Sequence, residues 1–232
     1  MPATRRAAML TARLGVIQAT LLLVSFWLLS RIPGPTSPDA EFVAFYESDK
    51  RRLVVLVGLY LMPFAGIAFL WFAVALRMWL ARMTSTQDVL LSNVQLVSAI
   101  IFIALFLAGA AASTVLAVSV EFSDYPVDPG TARQFPQFGS ALLLVFAMRM
   151  AAMFVFTTSG IARRHGVLPR WFVWAGYVVG LFLLLVATLN RLLVLVFPMW
   201  ILILSLILLL KARRMPKDGQ EPSLDGAVEE ST

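Results

Sequence analysis

Cysteine is absent from the 232-residue chain, histidine occurs once, and only 14% of residues are charged. Without cysteine there is no disulfide, thiolate nucleophile, cysteine-linked lipid or sulfur-ligated metal. The single histidine, His165, stands in the run ARRHG, which excludes paired-imidazole haem ligation and histidine-rich metal sites. Carboxylates number 13, and none falls inside a long apolar run: Asp88 precedes one such run, Glu121 ends it, and the rest lie in polar connections or the tail. Proton-coupled transport relies on a buried carboxylate or histidine relay, so this distribution argues against a pump. A P-loop, an H-E-x-x-H pair and a nucleophile elbow are missing as well. No cofactor, metal or catalytic residue is expected, and hence no enzymatic activity.

What the chain has is apolar length. Hydrophobic residues make up 60% of it and the mean hydropathy is +0.85, far from soluble composition, where charged residues alone approach about 25%. Lysine and arginine outnumber aspartate and glutamate by 19 to 13. In a soluble protein that excess would raise nucleic acid as a partner. Here the cations cluster at the ends of apolar segments, where they orient helices and meet lipid headgroups, so membrane lipids are expected and nucleic acid is not.

A span needs roughly 20 mostly apolar residues, and six segments qualify: 12–30, 53–76, 91–119, 139–160, 171–189 and 192–210. Asn190 and Arg191 would form a tight turn between the last two. The arginines ahead of the first span imitate a secretory or twin-arginine signal, but no small-x-small cleavage site follows Leu28. With the N-terminus cytoplasmic, the inner flanks hold Arg5, Arg6, Arg13, Arg77, Arg82, Arg163, Arg164, Arg170, Lys211, Arg213, Arg214 and Lys217. The outer flanks hold half as many: Arg31, Lys50, Arg51, Arg52, Arg133 and Arg191. The fold expected is an all-α integral membrane bundle of six transmembrane helices with both termini cytoplasmic. Residues 1–11 would be a cytoplasmic N-terminus, 12–213 the membrane domain and 214–232 a disordered acidic tail. In the first outer loop, Ser37 can cap, Pro38 suits the first helical position and Asp39 favours the positive helix end, which predicts a short amphipathic helix on the outer surface. Glu47 stands four residues before Arg51, a spacing that pairs them on a helix. The second outer loop, EFSDYPVDPGTARQFPQFG, reads as an irregular link.

The segments FVAFYESD, AGIAFLWF and GVLPRW together resemble those of a family of uncharacterised multi-pass membrane proteins common in actinobacteria, over about residues 40 to 210. The resemblance implies a bacterial plasma membrane and this helix count, and it brings no activity or site residue. By its own physics GVLPRW is a topology device: Gly166 and Pro169 break the chain, while Trp171 and Trp174 anchor at the interface.

Among the polar residues, Arg149 is set apart. It lies about ten residues from either end of its span, about 15 Å deep at 1.5 Å per residue. Arginine at a helix centre costs about 2.5–3.5 kcal/mol on insertion scales, so it should face protein or water. Partners within reach of the chain are Gln95, Asn93, Tyr177, Thr188 or carbonyls freed near Pro63; no internal acid is available. A structural hydrogen bond competes with docking of an anionic ligand or another subunit's carboxylate. Pro63 and Gly66 can kink the second span. In the third, Ala104, Ala108 and Ala112 recur every four residues, as do Gly109, Ser113 and Ala117, a spacing that lets helices approach closely. The function expected is a non-enzymatic accessory or assembly subunit of a larger envelope complex, such as a lipid transport system, partnered by other integral membrane subunits or copies of itself. The alternative is a small carrier or channel for an anionic or lipidic substrate.

Overall fold

The computed structural model describes residues 2–33, 37–83, 89–123, 126–186 and 195–214. They form helices with no strand among the described residues. We number these α1 (Pro2–Leu29), α2 (Asp39–Glu47), α3 (Arg51–Met83), α4 (Val89–Ser123), α5 (Pro129–His165), α6 (Arg170–Leu185) and α7 (Val196–Arg214). Five of them, α1, α3, α4, α5 and α7, are long and apolar enough to cross a membrane. The sixth expected span, α6, has 16 residues, about 24 Å at 1.5 Å per residue against a hydrocarbon core of about 30 Å. The expected turn at Asn190 and Arg191 and the tail beyond Arg214 lie outside the described residues.

Helix α1 carries small residues at helical spacing, Ala8, Ala12, Gly15 and Ala19, all buried, and packs with that stripe against both α3 and α7. Helix α4 lies between α3 and α5, and α6 folds back along α5. At the centre each of four helices contributes one phenylalanine. Phe69 of α3 has its ring centroid 4.9 Å from Phe102 of α4, 5.3 Å from Phe154 of α5 and 5.6 Å from Phe197 of α7.

The helix pairs are fitted by a recurring device, a glycine set against a hydroxyl. Gly15 faces Ser205, Gly58 faces Thr114, Gly139 faces Ser113 and Gly176 faces Ser159. With little hydrophobic drive between helices in lipid, such close approach supplies the packing. Three of the hydroxyls donate to the carbonyl four residues earlier in their own helix: Ser113 to Gly109 at 2.8 Å, Thr114 to Ala110 at 2.9 Å and Ser205 to Ile201 at 2.8 Å. The Ser159 hydroxyl, also buried, finds no partner among the described residues.

Both ends of the described chain meet at one end of the bundle. The Arg5 Nε donates to the Ala212 carbonyl at 3.2 Å, and Lys211 Nζ to that of Val167 at 2.8 Å. At the same end Arg77, near the close of α3, donates to Ser92 Oγ at 2.7 Å and to Asn93 Oδ1 at 3.0 Å at the start of α4. Gly166 closes α5 in the left-handed conformation, φ 61°, with Val167 N bonded to Ala162 O at 3.1 Å, the glycine-terminated helix end that the sequence suggests.

At the opposite end several expectations are corrected. The helix α2 exists, but its N-cap position is Pro38 and no side chain caps it, so the expected Ser37 cap does not form. Ser37 instead offers its carbonyl to Arg133 at 2.9 Å, and the same guanidinium takes Asp39 Oδ1 at 2.6 Å and lies over the Phe42 ring. Arg51 does not pair with the Glu47 carboxylate; its Nε meets Glu121 Oε2 at 2.7 Å, with Arg52 3.1 Å from the other oxygen. One carboxylate thereby meets two arginines of that flank. The supposed irregular link before 139 is helical from Pro129. Asp128 caps it by accepting from Thr131 N at 2.8 Å, and that bond holds its carboxyl below the usual range. Tyr46 is buried under α2, which pushes its phenol up to about 12 and keeps it neutral.

Candidate functional site

Two helices depart from α geometry inside the bundle. In α3, Pro63 has no N–H for the carbonyl one turn before it, and a π turn, Val57–Leu61, directly precedes it. The irregularity expected at Pro63 and Gly66 thus takes the form of a π turn, and Gly66 packs against Leu107 and Ile103 of α4. In α5 a second π turn, Leu142–Ala147, comes two residues before Arg149. Such turns concentrate at functional positions.

Arg149 is half-buried and donates to the carbonyl of Val145, within that π turn. No carboxylate pairs with it among the described residues. The partners suggested by the sequence are engaged elsewhere. Gln95 Nε2 donates to Thr158 Oγ1 at 2.7 Å, Asn93 takes Arg77, and Tyr177 lies near Gly160; Thr188 is outside the described residues. Pairing of Gln95 with Thr158, and of Gly109 with Leu143, sets an antiparallel register that puts Arg149 level with Ile103 and Ala104. Gly176 against Ser159 and Gly180 against Phe156 set a second register, in which α6 stops within about a turn of Arg149. The carbonyl end of α6 is electrically negative and lies at the level of the cation.

The two small-residue rows of α4 have different fates. Gly109, Ser113 and Ala117 are buried, and the first two meet Gly139 of α5. Ala104 and Ala108 are exposed and Ala112 is half-buried, so the second row looks outward with no helix on it among the described residues.

Among the clefts on the perimeter of the described residues, two differ in chemistry. One, of about 280 Å³, is walled by Leu23 and Trp27 of α1, Pro136 and Leu144 of α5, and Leu195. The other, of about 540 Å³, sits between α4, α5 and α6 at the end where the chain termini meet. Arg163, Arg164 and Tyr177 border it, with Gly160 as its floor and Met153, Phe156 and Leu91 as its apolar walls. Gln18 of α1 is a further feature the sequence reading passed over: it is fully buried, and neither amide atom has a hydrogen-bond partner among the described residues.

The described residues form an all-helical, membrane-embedded protein with Arg149 half-buried beside a π turn and no metal-ligand cluster among them. Compared with family models, curated proteins and solved structures, the chain finds no match.

Proposed function

We propose that the protein is a non-enzymatic accessory subunit of a larger envelope complex in a bacterial plasma membrane, and that a transmembrane helix of another subunit seats on the side formed by α4 and α5. The observation that carries this reading is the coincidence of Arg149 with Ala104. A half-buried guanidinium, held by a carbonyl of its own helix, lies level with an outward row of small residues. Small residues admit a partner backbone closely, and a carboxylate on that partner would meet the arginine. The expected test is Ala108→Trp, which places bulk on the outward row and touches no internal contact. Purified from native membrane in mild detergent, this variant should melt as the parent does yet lose its stoichiometric membrane partner. A partner retained in full would remove the α4 face from the interface.

The same proposal takes the chain to cross six times with both termini cytoplasmic. This reading is supported by the Arg5 to Ala212 bond, which brings both ends of the described chain to one end of the bundle, and by the positive charge that concentrates there. Reporter fusions should therefore behave as cytoplasmic at His165 and external at Asp128; a cytoplasmic signal at Asp128 would overturn the threading.

The second reading, a carrier or channel for an anionic or lipidic substrate, is favoured by the paired π turns and by Arg149 beside one of them. Against a central path stand the four packed phenylalanines at mid-depth. A reconstituted protein that moves an anion on its own, and loses this with Arg149→Met, would select the carrier.

A further inference from the structure

The cleft between α4, α5 and α6 does not belong to the Arg149 surface proposed for the partner helix, and its chemistry is different. Arg163 and Arg164 end α5 at the level where the chain termini meet. Arg163 stacks over the Trp174 ring with its guanidinium carbon 5.4 Å from the centroid, which holds it on the α6 side of the opening. Across Gly160 stands Tyr177, whose hydroxyl would lie 3.8 Å from a Cβ at that position. A phosphate bound here would meet two guanidinium groups and one phenolic donor, the pattern by which basic pockets between membrane helices take anionic headgroups. Deeper along the same face come Phe156 and Met153, with the Thr157 hydroxyl turned to carbonyls of its own helix, so the cleft of about 540 Å³ changes from basic at its mouth to mainly apolar further in.

We propose that this cleft is a seat for one anionic phospholipid of the leaflet on the arginine-rich side, with its phosphate at Arg163, Arg164 and Tyr177 and an acyl chain along Phe156 and Met153. Gly160 is the feature that makes room. A Cβ there would find Leu91 Cδ1 at 3.6 Å, ordinary contact, whereas a larger side chain would fill the space without altering charge.

The test uses the full chain in nanodiscs of phosphatidylcholine doped with phosphatidylglycerol, with tightly held lipid counted by native mass spectrometry. The parent should retain phosphatidylglycerol in preference to phosphatidylcholine. Arg163→Gln with Arg164→Gln should reduce that preference roughly thirtyfold, at about 1 kcal/mol for each cation near the surface. Gly160→Leu should reduce it as much while leaving every charge in place, and it carries the test if the double variant does not fold. Retention by Gly160→Leu equal to the parent's would overturn the seat. Displacement of the lipid by millimolar inorganic phosphate would overturn the lipid as the ligand and leave free phosphate in its place.

Discussion

Replacing Arg149 with methionine is expected to leave the isolated bundle at least as stable as the parent and to strip it of its bound subunit. Methionine keeps an unbranched apolar stem and removes the charge. An arginine at this depth opposes insertion by about 2.5–3.5 kcal/mol, and the bond to Val145 recovers part of that by engaging a carbonyl of the π turn. Without the guanidinium the lone protein therefore gains, or breaks even, and the loss falls on the complex, where the partner's carboxylate would be left buried without its cation. Breaking such a pair costs about 3–5 kcal/mol, enough to lower affinity several hundredfold. The internal alternative has the opposite sign. If the cation chiefly satisfies Val145 and the carbonyl end of α6, the variant should melt earlier in detergent, because those acceptors lose their donor. Thermal melting and partner retention measured on one preparation separate the two, and an early-melting bundle that still holds its partner sinks the docking idea.

The largest structural effect is expected at Gly139. A Cβ built there falls 2.5 Å from the Gly109 carbonyl oxygen and 2.7 Å from Ser113 N. The Ser113 hydroxyl, nearer still, could turn away, but these two neighbours are backbone and cannot, so α4 and α5 must separate. Overpacking usually costs about 1–3 kcal/mol, and more where backbones must move. Gly139→Leu should therefore leave little folded protein to extract. Gly66 provides the contrast: its nearest neighbour to a Cβ is the end of the Leu107 side chain, at 3.3 Å. Alanine there should change stability by no more than about 1 kcal/mol, since helix propensity gains what the contact loses. Equal melting temperatures for Gly139→Leu and the parent would show that this helix pair does not hold the bundle together.

The long helices and the packing row of Gly109 and Ser113 were legible because each rests on a local pattern: apolar length, and small residues every four positions. The row's partner was not, because Gly139 reaches it only through antiparallel register, which apolar spans do not encode. Glu47 and Arg51 show the same limit. Spacing alone favours their pairing, yet Glu121 from a distant helix offers a carboxylate shared by two arginines. The helical start at Pro129 was available in the letters, since Asp128 followed by proline is a helix opening; the density of prolines in that loop concealed it. The basic cleft was half visible. Arg163 and Arg164 read as topology cations, and only the folding back of α6 brings Tyr177 across Gly160 to face them. Gln18 gave no signal, because a single amide inside a span has no pattern around it.

The Arg5 to Ala212 clasp also bears on how the chain is made. Synthesis runs from α1 towards α7, yet α1 has its main contacts with α3 and with α7, the last of the described helices to be made. Until α7 arrives, one flank of α1 is met by lipid or by an insertion factor, with Gly15 waiting for Ser205. A nascent chain halted before Val196 would carry that flank uncovered, its small residues open to lipid where α7 belongs.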